Sequence, residues 1–290
     1  YNNIFLFGSE IKTITSNPLF NGSINFSAIN DYLNLDYIPF NKTLIHNVNK
    51  VLPGECIKYS NNKINNFKYW QYNQKNKNTD SKSSCINKLD KLLDNSVKTR
   101  LIADVPVGLF LSGGIDSSLI AHYCKKYSSN IKTFTIKMEE KTYDESNYAE
   151  NVAKHLGLKN ICHTFDNIEL LNSLSAIEEK LDEPINDPSI LPTYMVSNLA
   201  KQHVKVALSG DGADELFGGY APFKYISAMR ILNYFPKSLG NFLYHNFSKL
   251  SHEDNYMNLI FLIKHISKGI GHKPNQQTFR WMSSFASLDV

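Results

Sequence analysis

The sequence predicts an α/β protein: a parallel sheet with helices on both faces, preceded by a smaller β-rich piece. Three observations predict it. From residue 85 to residue 208, apolar β-prone runs alternate with segments of helical spacing, the pattern that builds a parallel sheet covered on both sides. Two of those runs break into glycine-rich loops, Ser112-Gly113-Gly114-Ile115-Asp116-Ser117-Ser118 and Ser209-Gly210-Asp211-Gly212. Upstream, Gln71 to Ser84, QYNQKNKNTDSKSS, offers nothing to bury and reads as a linker, which places a boundary near residue 76 and two units, 1–75 and 76–290.

The elements follow in order. In the first unit NIFLF alternates up to Gly8, SAINDYLNL has helical spacing, and GECIKYSNNKINNFKYW reads as two short strands around an Asn-Asn turn, so this unit is expected to be β-rich with one helix. After the linker, CINKLDKLLDNSVKTRLI is an amphipathic helix, VPVGLFL a buried strand and SSLIAHYCKKY a helix. IKTFTIK is the next strand, DESNYAENVAKHLG a helix ended by Gly157, and NICHTF a short strand. IELLNSLSAIEEKL and ILPTYMVSNLAKQH are helices, and VKVAL is a further strand. Beyond Tyr220 the chain looks helical, most clearly over NYMNLIFLIKHISK, with no chemistry of its own.

A length of 290 residues with 42% hydrophobic and 20% charged side chains is a globular composition with enough apolar material for a sizeable core. The net charge of +4 is mild and its lysines are scattered among asparagines, so no nucleic-acid partner is implied. Cys56, Cys85, Cys124 and Cys162 lie far apart, without metal-ligand spacing, and read as reduced thiols of a cytoplasmic protein. No apolar run approaches the roughly 18 residues of a membrane span, and no basic-then-apolar leader opens the chain, so no membrane association is expected. The opening YNNIFLFGSEIK reads as the approach to a strand, which suggests a fragment whose N-terminus lies upstream.

The two loops carry the chemistry. In an open parallel sheet ligands bind at the carboxyl ends of the strands, where the following helix offers free amides and a positive dipole end to an anion. Ser112 to Ser118 stands at that place: its glycines let the backbone approach a phosphate, and Ser117 and Ser118 add hydroxyls. Taken alone, the same residues could be a tight turn with Asp116 or Ser117 as a helix cap. Gly108 and Gly113 have the spacing of a Walker A loop, but Gly114 stands where that motif needs lysine. Phe110 stands where a nucleophile elbow needs glycine, which leaves a serine hydrolase as a weak alternative. In the second loop Glu215 occupies the small-residue position of a dinucleotide fingerprint, which excludes a Rossmann site. What that loop supplies is Asp211, Asp214 and Glu215, on the same sheet edge as Asp116 if the strands are parallel. Carboxylates beside a phosphate loop would repel their ligand unless a cation lay between, and magnesium is held by one or two carboxylates plus phosphate oxygens. The competing reading is that Asp214 and Glu215 cap a short helix.

SGGIDSS resembles the pyrophosphatase loop of the N-type ATP pyrophosphatases. LSGDGADELFGGY together with LDEPINDPSILPTY resembles the synthetase domain of the glutamine-hydrolysing asparagine synthetases. LFGSEIK, YIPFNKTLIHNVNKVLPGE and Tyr69-Trp70 resemble the end of that family's N-terminal-nucleophile glutaminase domain, so the likeness runs from about residue 4 to residue 225. The resemblance implies an ATP-pyrophosphatase fold and ATP-dependent amidation of aspartate through β-aspartyl-AMP, with glutamine or ammonia as nitrogen source. It implies ATP and Mg2+ as ligands and leaves a homodimer open. By resemblance Ser112, Gly113, Gly114, Ser117 and Ser118 cradle pyrophosphate, and Asp116 and Asp214 hold the metal. Phe110, Leu111, Ile136, Ser209 and Gly210 then line the adenosine site, and Asp211, where the family often has glutamate, serves the chemistry of the intermediate. Asp182-Glu183-Pro184 and Asp187-Pro188-Ser189 have counterparts in the family's synthetase cleft, although a proline-rich turn is an equal reading.

Two departures stand out. The family's N-terminal nucleophilic cysteine has no counterpart here, since no cysteine precedes Cys56, which reads as a small hydrophobe in a strand. The family's downstream catalytic lysine should fall beyond Val290 by spacing, so the second unit is expected to be truncated and the chain incomplete by itself. A relative that adenylates another carboxylate, including β-lactam-forming synthetases, and a nucleotide-binding module without turnover are the alternatives. His155, His163 and His203 read as structural or surface histidines.

Overall fold

The computed structural model describes residues 4–73, 78–139, 144–220, 223, 230–249, 259–273, 276, 277 and 280. The N-terminal piece holds two helices, α1 (Ile11–Thr15) and α2 (Phe26–Leu35), and one hairpin, β1 (Glu55–Ser60) with β2 (Lys63–Lys68). Asn61 and Asn62 turn that hairpin at φ 50° and 57°, the left-handed pair that a two-residue loop demands and asparagine tolerates. The piece is thus less β-rich than its pattern predicts. Residues 4–8 form no strand, since the sheet here stays two-stranded and alternation alone supplies no ladder. Phe5 instead stacks on Tyr59 with ring centroids 4.6 Å apart.

The second unit begins with α3 (Lys82–Arg100), earlier than its hydrophobic pattern suggests, because Ser81 accepts the Ser84 amide and caps the extra turn. There follow β3 (Val107–Phe110), α4 (Ile115–Tyr127), β4 (Lys132–Met138), α5 (Ser146–Leu156), β5 (Lys159–Phe165), α6 (Asn167–Glu178), α7 (Ile190–Ala200), β6 (Val206–Leu208) and α8 (Ala213–Phe217). The strands order as β5-β4-β3-β6 and every pairing is parallel. Successive strand residues face opposite sides. Leu109 and Leu111 accordingly meet Val97 of α3, Ala121 and Cys124 of α4, and Ala149 and Ala153 of α5. Phe110 and the fully buried Phe134 pack on the opposite face, against Val196, Leu199 and Ala200 of α7. Both faces are therefore covered, as a sheet of this apolar composition requires.

Beyond α8 come a short 3-10 turn (Arg230–Tyr234) and helices Lys237–Ser248 and Leu259–Ser267, which pack on each other. The predicted helix over NYMNLIFLIKHISK begins outside the described residues and is helical from Leu259. Among the described residues no helix is long and apolar enough to cross a membrane.

Candidate active site

Strands β3 and β6 are neighbours, paired Val107 to Val206, Gly108 to Ala207 and Leu109 to Leu208. Their following loops therefore leave the same sheet edge side by side. The first loop is built by its own serines. Ser112 Oγ accepts the Gly114 amide at 3.2 Å and lies 3.0 Å from Ser117 Oγ, which donates to the Gly114 carbonyl at 3.3 Å. Ser117 is 8% exposed, so its hydroxyl is spent largely on shaping the loop. Gly113 has φ +84°, and an added Cβ would stand 2.5 Å from the Ala149 nitrogen at the start of α5. Glycine is required there twice over, by conformation and by space.

Helix α4 starts at Ile115, and Gly114, at its N-cap, supplies no side-chain cap. The cap reading of Asp116 and Ser117 therefore does not hold, and no side chain caps the first turn of α4. Ser118 Oγ is buried without a hydrogen-bond partner, an orphan donor in the first turn after the loop. Asp116 is half-buried on the same turn. Leu111 is 2% exposed, Phe110 is half-buried, and Ile136 lies beyond the last β3–β4 pair, Phe110 with Phe134, on the same edge.

The second loop is pressed onto the first. A Cβ at Gly210 would meet the Ser117 nitrogen at 2.9 Å and Asp116 Cβ at 3.1 Å. Ser209-Gly210 thus abuts the residues read as phosphate and metal ligands. After Gly212, at φ +89°, α8 carries Asp214 and Glu215 in its first turn, where their charge suits the helix dipole. Glu215 is committed elsewhere: its Oε1 accepts the Tyr220 hydroxyl at 2.6 Å. That bond lowers the Glu215 carboxyl below its ordinary range and is the largest cause raising the Tyr220 phenol to about 12. Asp214 is half-buried against Gly219, and Asp211 is exposed.

Among the described residues no group of three histidine, cysteine or acidic side chains is placed to hold a metal. The donor set near the loops is oxygen only, which suits a hard cation completed by phosphate oxygens, not a closed protein cage. The described cysteines form no disulfide, and Cys56 is half-buried in β1. His203 stacks on Phe134 at 5.7 Å, and His163, paired in register with Ile136, lies 3.3 Å from Glu169.

Two features escape a sequence reading. Thr135, 4% exposed, donates to the Leu111 carbonyl at 2.8 Å and so fixes the strand end from which the first loop departs. A threonine amid the apolar run IKTFTIK is its only signal. Asp182 and Glu183 do not join the loop cluster: they bond to Ile11, Lys12, Leu44 and Lys50 of the N-terminal piece.

A parallel sheet with two abutting serine-glycine loops at its carboxyl edge, the first opening an uncapped helix, defines an ATP-pyrophosphatase-like α/β domain. Comparison with known proteins narrows the class. Residues 88–285 match the family model described as asparagine synthase, and residues 1–70 match that of the glutamine amidotransferase domain. The chain belongs to the asparagine synthase family. It is 36% identical over 242 residues to asparagine synthetase [glutamine-hydrolyzing] 1 of Bacillus subtilis, covering 82% of this chain and 38% of that protein. It is also 36% identical over 246 residues to a putative asparagine synthetase [glutamine-hydrolyzing] 2 of Methanocaldococcus jannaschii, covering 82% of this chain and 47% of the relative. The chain thus spans less than half the length of these curated relatives. A solved NH3-dependent NAD synthetase from Campylobacter jejuni aligns over 67% of this chain with 15% identity and a TM-score of 0.34, too remote to bear on function.

Proposed function

We propose that this chain is the nucleotide-activating part of a cytoplasmic, glutamine-dependent asparagine synthetase, with the end of the glutaminase unit before residue 76 and the synthetase unit after it. The observation that carries the reading is the contact of Gly210 with Asp116 and Ser117, which makes one site of two loops. A carboxylate is a poor acyl donor until its oxygen becomes part of a good leaving group. The aspartate side-chain carboxylate attacks the α-phosphorus of ATP, the bond to the β-phosphate bridging oxygen breaks, and β-aspartyl-AMP and pyrophosphate result. Ammonia then adds to the acyl carbon, loses a proton and expels AMP.

In this scheme the amides of Gly113, Ile115 and Asp116 and the Ser118 hydroxyl bind the pyrophosphate oxygens, with Ser112, the Gly114 amide it accepts and Ser117 holding the loop in shape. Phe110, Leu111, Ile136 and Ser209-Gly210 hold the adenosine. Asp116 and Asp214 would hold magnesium, which neutralises the charge developing on departing pyrophosphate. Asp211, which is exposed, would receive the proton that ammonia loses. Aspartate, glutamine and ammonia are the proposed substrates.

ATP–pyrophosphate exchange on the full-length protein with magnesium, comparing aspartate with other carboxylic acids, tests the reading. Exchange that requires aspartate is expected. Exchange with another acid alone would move the protein to a sister activity, and none with any acid, in a folded protein that binds ATP, would leave a binding module.

A further inference from the structure

Two buried threonines and an asparagine stand on the face that the sheet turns toward α4 and α5. Leu109, Thr133 and Asn160 are partners in register across β3, β4 and β5, and Thr135 follows Thr133 by two residues on the same face. Thr133 is fully buried, Thr135 is buried and Asn160 is half-buried. Thr133 Oγ1 donates to Asn160 Oδ1 at 2.9 Å, and the Lys159 carbonyl is its more distant acceptor at 3.4 Å. Thr135 Oγ1 has two acceptors in reach, the Leu111 carbonyl at 2.8 Å and the same Asn160 Oδ1 at 3.1 Å.

The Leu111 carbonyl is the root of the first loop. The Leu111 amide donates to the Phe134 carbonyl at 3.0 Å, one residue past the last register pair of β3 with β4. The loop's own bonds begin at the next residue: the Ser112 amide donates to Ser117 Oγ at 3.4 Å, and Ser112 Oγ accepts the Gly114 amide. A continuous path of hydrogen bonds therefore runs from β5 through β4 to the loop. Valine has the shape of threonine without the hydroxyl, and a paired buried hydroxyl adds little net stability. What these hydroxyls supply is direction. A hydroxyl has one proton to donate, so the Leu111 carbonyl and Asn160 Oδ1 compete for that of Thr135.

We propose that Thr135 is a positioning residue of the first loop, and that Thr133 acts one step behind it. By giving its own proton to Asn160 Oδ1, Thr133 leaves the Thr135 proton on the Leu111 carbonyl. Removing the Thr133 hydroxyl then draws the Thr135 proton to Asn160 and loosens a loop that Thr133 does not touch. That the loop so held binds pyrophosphate rests on the function proposed above. The proton assignment does not.

Amide hydrogen exchange on the full-length protein reads the bonded amides of Leu111, Ser112, Gly114 and Ser118 against residues 121–124 inside α4. In Thr135→Val the loop amides should exchange about tenfold faster relative to α4, and Thr135→Ser should restore them. Thr133→Val should move them the same way by about threefold. Asn160→Ala, which removes the competing acceptor, should leave them at the wild-type rate, and Thr133→Val combined with Asn160→Ala should return them to it. That pair carries the test even if Thr135→Val does not fold. Calorimetric binding of inorganic pyrophosphate with magnesium should follow the same ranking, weakened about tenfold in Thr135→Val. Unchanged loop exchange in Thr135→Val would overturn the positioning role, and a double variant no better protected than Thr133→Val would overturn the proton assignment. If the wild type does not bind pyrophosphate, the proposed function fails and the exchange ranking still decides this proposal.

Discussion

Gly210 lies where a Cβ would stand 2.9 Å from the Ser117 nitrogen and 3.1 Å from Asp116 Cβ, against backbone that has no side-chain freedom to yield. Gly210→Ala should push the loops apart, costing about 1–3 kcal/mol of stability as an overpacked contact. Its larger effect should fall on the ligand: ATP affinity, measured calorimetrically with magnesium, should drop at least about tenfold, near 1.4 kcal/mol. At Asp116 and Asp214 the expected outcome is different in kind. Asp116→Ala and Asp214→Ala in the full-length protein should abolish magnesium-dependent ATP turnover while leaving the thermal midpoint within a few degrees. A normal rate in either variant would remove that residue from the metal site. The serines and glycines of both loops are legible in the sequence because an anion site at a strand-to-helix turn calls for those residue types, and the acids because they would need a cation beside such a site. The Tyr220–Glu215 bond is not, since nothing in the order of residues says which acid a phenol will choose.

Helices α3 and α4 show how neighbouring elements are fixed in register. Asp90 and Asp94, one turn apart on α3, receive the Tyr123 hydroxyl at 2.7 Å and the Lys126 and Tyr127 side chains at 3.0 and 2.8 Å. Tyr123 is 6% exposed, so Asp90→Ala leaves its hydroxyl without a partner and should cost about 1–3 kcal/mol in denaturant unfolding. The Asp90 hydrogen bond, with burial behind it, raises the Tyr123 phenol from 10.0 to about 12. A phenol whose folded pKa is raised contributes stability that is fully present below its unfolded value and is lost as pH rises through the folded one. The wild type should therefore lose stability between pH 10 and about 12, and Tyr123→Phe should flatten that part of the profile. An unchanged slope in the variant would discard the assignment. The pattern of helices and strands from Cys85 to Leu208 is readable from periodicity because a packed helix or strand buries one face. NIFLF misleads because a strand also needs a neighbour to pair with, and alternation does not report one.

Over the whole molecule, burial grades the thiols into a probe of global opening. Cys124 sits at 0% exposure in the core between α4 and the sheet, and desolvation raises its thiol to about 12. Cys162 is exposed on β5. With Cys56 and Cys85 replaced by serine, a thiol reagent at pH 8 should label Cys162 at once and Cys124 only at the rate of global unfolding. Fast labelling of Cys124 would show that the α4 face of the core opens locally. The same scale divides what each level of description decides. The parallel α/β class and the two glycine-rich loops were legible in the chain because strand periodicity and strand-to-helix turns are local requirements, and the family was legible through the resemblance of the loop segments to known synthetases. Only the folded chain decided that Gly210 closes on Asp116, that Thr135 holds the Leu111 carbonyl, and that Asp182 and Glu183 face the N-terminal piece instead of the two glycine-rich loops. Those outcomes depend on which strands become neighbours and on where buried donors find acceptors, and partners more than a hundred residues apart leave no periodic trace in the chain.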